Sequence, residues 1–108
     1  MIEVRVNRDP SHRIESFTMS GHADAGPYGY DLVCAAASAL SFGAMNAVEA
    51  LCGVTLATEL GEEGGFLRCV VPNDLSKETD EKVQLLLEGM LVSLRSIAEE
   101  YGEHLVVR

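Results

Sequence analysis

Apolar and polar residues alternate at the start of the chain: Ile2, Val4 and Val6 interleave with Glu3, Arg5 and Asn7. A period of two is the mark of a strand with one face buried. The stretch NRDPSH, with Asp9 and Pro10, reads as a turn. Residues 13–20 then form a second strand, paired with the first as a hairpin. From 21 to 30 the alternation breaks. Gly21, Gly26, Pro27 and Gly29 sustain neither a helix nor a paired strand, so this is a loop. Tyr28 and Tyr30 give it aromatic surface with which to pack as a lid. The next segment is apolar at most positions and rich in alanine, which predicts a helix over 32–51 with Asp31 as its N-cap and Gly53 as its C-cap. A helix apolar on most faces calls for burial on several sides, by a sheet, a second helix or a partner subunit.

The second half repeats this grammar without a fixed-period repeat. Val54 to Leu60 reads as a third strand, GEEGG as a turn, and Phe66 to Val71 as a fourth strand. Ser76 caps a second helix with Glu78, Asp80 and Glu81 in its first turns, the sign that the helix dipole favours. Val83, Leu86, Leu87, Met90, Leu94, Ile97, Ala98 and Tyr101 make an apolar stripe at helical spacing. Gly102 stops the helix, and HLVVR closes the chain as a strand. The order ββαββαβ predicts an α+β fold: a mixed, mainly antiparallel sheet covered by two helices, in one domain over residues 1–108.

Composition narrows the function. The net charge is −9 and the pI about 4.6. So acidic a chain repels phosphate backbones and argues against direct nucleic-acid binding, while its field favours basic partners. The start of the chain lacks the apolar core of a signal peptide. The apolar stretch from Leu32 to Leu51 is interrupted by Ser38, Ser41, Gly43, Asn46 and Glu49, which makes it a poor membrane span. A cytoplasmic protein is expected, with Cys34, Cys52 and Cys69 as free thiols.

Chemistry concentrates between Gly21 and Leu40. With Asp31 as N-cap, Cys34 stands at the third helical position, beside unpaired amides and the positive end of the helix dipole. Both favour a thiolate, and the same amides could serve an oxyanion. Of the three histidines, His22 shares a flexible loop with Cys34, whereas His12 precedes the second strand and His104 begins the last one. A nucleophile, a base and amide donors make an arrangement suited to acyl transfer. The plainer alternative is that Cys34 is a small core residue. Asp31 either orients the imidazole or caps the helix, capping being the simpler reading. Ser38, one turn beyond Cys34, either bonds within the site or is buried and bonds to its own helix. Cys52 and Cys69 read as structural. His22 and Cys34 lack two further ligands at metal-site spacing, and the glycines match no phosphate loop, so neither a metal nor a cofactor is implied.

At these residues the chain resembles a known family. GHADAG followed by GYDLVCAAASAL is similar to the signature of the ribosomal-processing cysteine proteases of bacteria, and the likeness extends over nearly the whole chain. The resemblance implies that His22 and Cys34 are a catalytic dyad. It implies removal of a short N-terminal extension from a large-subunit ribosomal protein, with cleavage after a bulky aromatic residue. It also implies a homodimer and a mobile loop over the site, about Ala23 to Tyr30; in that loop Gly26 and Gly29 would allow opening and closing over a peptide, while Tyr28 and Tyr30 either contact the substrate or simply pack. Two other readings stand beside it: a non-enzymatic ribosome-associated module that holds a basic protein, and a Cys–His enzyme of another class, such as a thioesterase, a deamidase or a peroxide sensor.

Overall fold

The computed structural model describes residues 1–27 and 31–108. The elements follow the expected order: β1 (Ile2–Arg8), β2 (Ile14–Ser20), α1 (Leu32–Cys52), β3 (Ala57–Leu60), β4 (Phe66–Val70), α2 (Lys77–Glu100) and β5 (Leu105–Val107). The strands form one sheet in the order β3-β4-β2-β1-β5. Only the β1–β5 pair is parallel; the other three are antiparallel.

Register places the apolar residues on one face. Leu105 lies opposite Ile2, Val4 opposite Met19, Met19 opposite Leu67, and Phe17 opposite Cys69. These side chains join Val33, Ala37 and Val48 of α1 and Val83, Leu87, Leu91 and Leu94 of α2 in a single core. Fully burying a side chain such as Phe17 stabilises the fold by roughly 1.5–3 kcal/mol. The other face of the sheet carries Glu3, Arg5, Thr18 and Arg68. Both helices therefore cover one side only, which is why burial alternates along β4.

Four details differ from expectation. β3 begins at Ala57, not Val54, because Val54 and Leu56 turn into the core as an extended connection before pairing with β4 starts. The last helical turn is capped by Tyr101, whose N–H donates to Ile97 O; Tyr101 is exposed and is no part of the apolar stripe. The closing strand is three residues long. Most notably, α1 is not buried on several sides within one chain. Val33, Ala37, Ser41 and Val48 face inward, while Leu32 is 82% and Leu51 73% exposed. By length and composition this helix is apolar enough to cross a membrane; here Val33, Ala37, Ser41 and Val48 pack it into the core, and Ser41 donates to Ala37 O at 2.8 Å.

Candidate active site

Asp31 has extended backbone angles and caps α1. Its Oδ1 accepts from the amides of Val33 and Cys34, each at 3.0 Å, and its Oδ2 accepts from Ala25 N at 2.9 Å. The capping role is thus the one observed, and it extends to holding the preceding loop. The Cys34 amide holds the Asp31 carboxyl below the usual aspartate range; the amides of Ala25 and Val33 and the Cys34 thiol act in the same direction, against the opposing effect of desolvation.

This corrects one expectation. The amides of Val33 and Cys34 are already bonded to Asp31, and Ala35 N donates to Asp31 O at 3.0 Å, so these helix-start groups are not free for an oxyanion. The N–H aimed at the cysteine is a different one: Ala23 N donates to Cys34 Sγ at 3.2 Å.

Ala23 is itself buried, in a segment held from several directions. The Met1 ammonium lies 3.6 Å from Asp24 Oδ2, and Asp24 has a left-handed backbone with φ 55°. Gly21 N donates to Gly65 O at 2.8 Å. At Gly21, with φ 90°, an added Cβ would lie 2.2 Å from Met1 O, so a side chain cannot be accommodated. Gly65, in the β3–β4 turn, approaches the ring of His22: a Cβ there would sit 2.8 Å from Nε2. The imidazole thus packs against the backbone of the second hairpin.

His22 and Cys34 line two adjoining clefts of about 360 and 530 Å³, with Ser38 and Glu63 also shared by both. Among the described residues no hydrogen bond joins His22 to Cys34. His22 is exposed and Cys34 half-buried. The smaller cleft has an apolar wall of Met19, Phe42, Leu60, Phe66 and Leu67. Gly26 lines the larger one. Ser38 is exposed at the cleft rather than buried; the serine that bonds back to its own helix is Ser41, at the floor of the smaller cleft. Tyr28, Gly29 and Tyr30 lie outside the described residues. Cys69 is buried in the core, where desolvation pushes its thiol up, partly offset by the Thr58 hydroxyl, and Cys52 is half-buried at the end of α1. All three cysteines are free thiols.

Sequence reasoning had no means to find Gly65 or His104. His104 Nδ1 lies 2.8 Å from Ala23 O, across 81 positions of chain. No local spacing announces such a contact.

Comparison with known proteins places the chain in a family. Residues 1–106 match the family model of the cysteine protease Prp. The ribosomal processing cysteine protease Prp of Bacillus subtilis (strain 168) is 43% identical over 107 residues, which are 99% of this chain and 96% of that one. A crystal structure of an essential ribosomal processing protease Prp from S. aureus, in complex with a covalently linked product peptide, superposes with a TM-score of 0.90. It is 36% identical and covers all of this chain and 98% of its own. A second structure of the S. aureus protease, in complex with a substrate peptide, gives a TM-score of 0.84 at 34% identity, over 100% of this chain and 98% of that one. A family match across nearly the whole chain leaves the non-enzymatic module without support: this chain belongs to the cysteine protease Prp family and is a cysteine protease.

Proposed function

We propose that this protease removes an N-terminal extension from a large-subunit ribosomal protein in the cytoplasm, with Cys34 as nucleophile and His22 as general base and acid. The observation that carries the reading is the Ala23 amide donating to Cys34 Sγ in a cleft that His22 also lines. That bond aims a backbone donor at the sulfur, which stands in the first turn of α1. The relatives' names, which call them ribosomal processing proteases, supply the substrate class. An acidic chain of net charge −9 suits a basic ribosomal substrate and speeds its approach.

The steps follow acyl transfer. His22 takes the Cys34 proton, and the thiolate sulfur bonds to the scissile carbonyl carbon. The C–N bond breaks as the imidazolium returns the proton to the leaving amine. Water, deprotonated by His22, then attacks the thioester and releases the thiol. The wall of Met19, Phe42, Leu60 and Phe66 suits a bulky aromatic side chain before the cut, and its cleft of about 360 Å³ lies within the usual range of ligand pockets. Ser38 stands at the rim, and the loop with Gly26, Tyr28, Gly29 and Tyr30 covers the bound peptide. Leu32 and Leu51 of α1 are exposed apolar residues that a second copy would cover in a homodimer.

The test is cleavage of the ribosomal protein's N-terminal peptide by wild type and Cys34→Ala, read by mass spectrometry. Wild type is expected to cut after an aromatic residue, and the variant, equally folded, to leave the peptide intact. Full activity in the variant ends this reading.

A further inference from the structure

The third histidine is not idle. His104 follows α2, with its N–H donating to Tyr101 O at 2.8 Å and its carbonyl accepting from Ile2 N at 2.8 Å. The next residue, Leu105, is fully buried and paired with Ile2. The backbone at 104 is therefore fixed on both sides, and the half-buried ring is carried to a set position beside the loop that follows β2. There Nδ1 lies 2.8 Å from Ala23 O. A carbonyl only accepts, so Nδ1 must carry the proton. The neutral ring with hydrogen on Nδ1 and the imidazolium both make this bond; the tautomer with hydrogen on Nε2 does not.

We infer that His104 is a positioning residue for Cys34: by holding the Ala23 carbonyl it fixes the residue whose amide donates to the cysteine sulfur. The two bonds belong to successive peptide units of one buried residue. Restraining the carbonyl side limits rotation about the Ala23 backbone, and so keeps the N–H on Sγ. Asp31 holds Ala25 from the other direction, so residues 23–25 are tied to both α1 and the segment after α2. Without the His104 bond the Ala23 carbonyl seeks other partners, and its amide is no longer held against sulfur.

The inference rests on Cys34 being the reactive thiol. It is tested by a readout that needs no peptide cleavage, so its failure is separable from that of the proposed function. The measurement is iodoacetamide labelling of the folded protein across pH, quantified cysteine by cysteine, for wild type, His104→Leu and His104→Asn. With Ala23 no longer held, its amide leaves the sulfur, so His104→Leu is expected to slow Cys34 labelling near neutral pH by about tenfold. Cys52 serves as internal control and keeps its rate. Asparagine places its amide nitrogen where Nδ1 stands, so His104→Asn is expected to restore the wild-type profile. Identical Cys34 profiles in wild type and His104→Leu overturn the inference. Should the leucine variant fail to fold, nitrogen chemical shifts of wild-type His104 decide: a protonated Nδ1 supports the inference, and an unprotonated Nδ1 at neutral pH overturns it.

Discussion

Asp31 gathers three amides around one carboxylate and so ties the loop at Ala25 to the first turn of α1. Those bonds hold its carboxyl below the usual aspartate range. A carboxyl whose folded value is depressed stabilises the fold wherever the unfolded chain would also be ionised, and loses that contribution as pH falls through the folded value. Asp31→Asn keeps the shape and a cap but loses the charge. Its melting temperature is expected to lie below that of wild type by a constant margin at neutral and mildly acid pH. The gap should narrow only in strong acid, below about 3.9, the usual aspartate value. Thermal melts of both proteins from neutral to acid pH check this; a gap unchanged into strong acid would contradict it. Asp31 as a cap was legible from the sequence, because an N-cap is local chemistry three residues long. That Asp31 consumes the amides expected to serve an oxyanion was not legible, since it depends on where the chain brings Asp31 and Ala25 together.

Elements were read from periodicity, and periodicity works where one face is buried. β1, β2, β4 and α2 were visible for that reason. The start of β3 was not, because Val54 and Leu56 are buried yet lie in a connection, and burial alone looks like a strand. A second device escaped notice at the start of β2. The β1–β2 register shifts between Asn7 and Arg8. Beside this irregularity Gln84 of α2 clasps the backbone of Ile14, accepting from its N–H at 2.7 Å and donating to its carbonyl at 2.9 Å. Arg13 adds a two-pronged contact to Asp80 and donates to Pro72 O. Helix and hairpin are thus joined by polar bonds as well as by the core. Gln84→Leu leaves the Ile14 amide without that acceptor, and an unmade buried bond costs roughly 1–3 kcal/mol. Urea unfolding is expected to show a loss of about 2 kcal/mol with unchanged m-value. A loss near zero would mean that water or β1 takes over the role.

For the molecule as a whole, the unexpected feature is how much of α1 remains open. An apolar helix predicted to be enclosed presents Leu32, Phe42 and Leu51 at its surface. A second copy of the chain would supply the cover, and the pattern alone could say that cover was needed but not which molecule gives it. In sedimentation at micromolar concentration the wild type is expected to run at twice its 11.6 kDa chain mass. Leu51→Glu, which puts a charge at an exposed apolar position of α1, is expected to shift it toward the monomer. A wild type that sediments as a monomer would remove the homodimer from the reading.

The bond between His104 and Ala23 spans 81 positions, and this has a bearing on the order of events during synthesis. A ribosome making this protein delivers the histidine loop and the cysteine early, and the residue that steadies them only after most of the remaining chain has emerged. The residues of β1, β2 and α1 emerge early, yet Ala23 lacks this bond until position 104 has been made. The loop after β2 is therefore made long before its tie to position 104, by the length of chain that must pass before that residue can reach back to position 23.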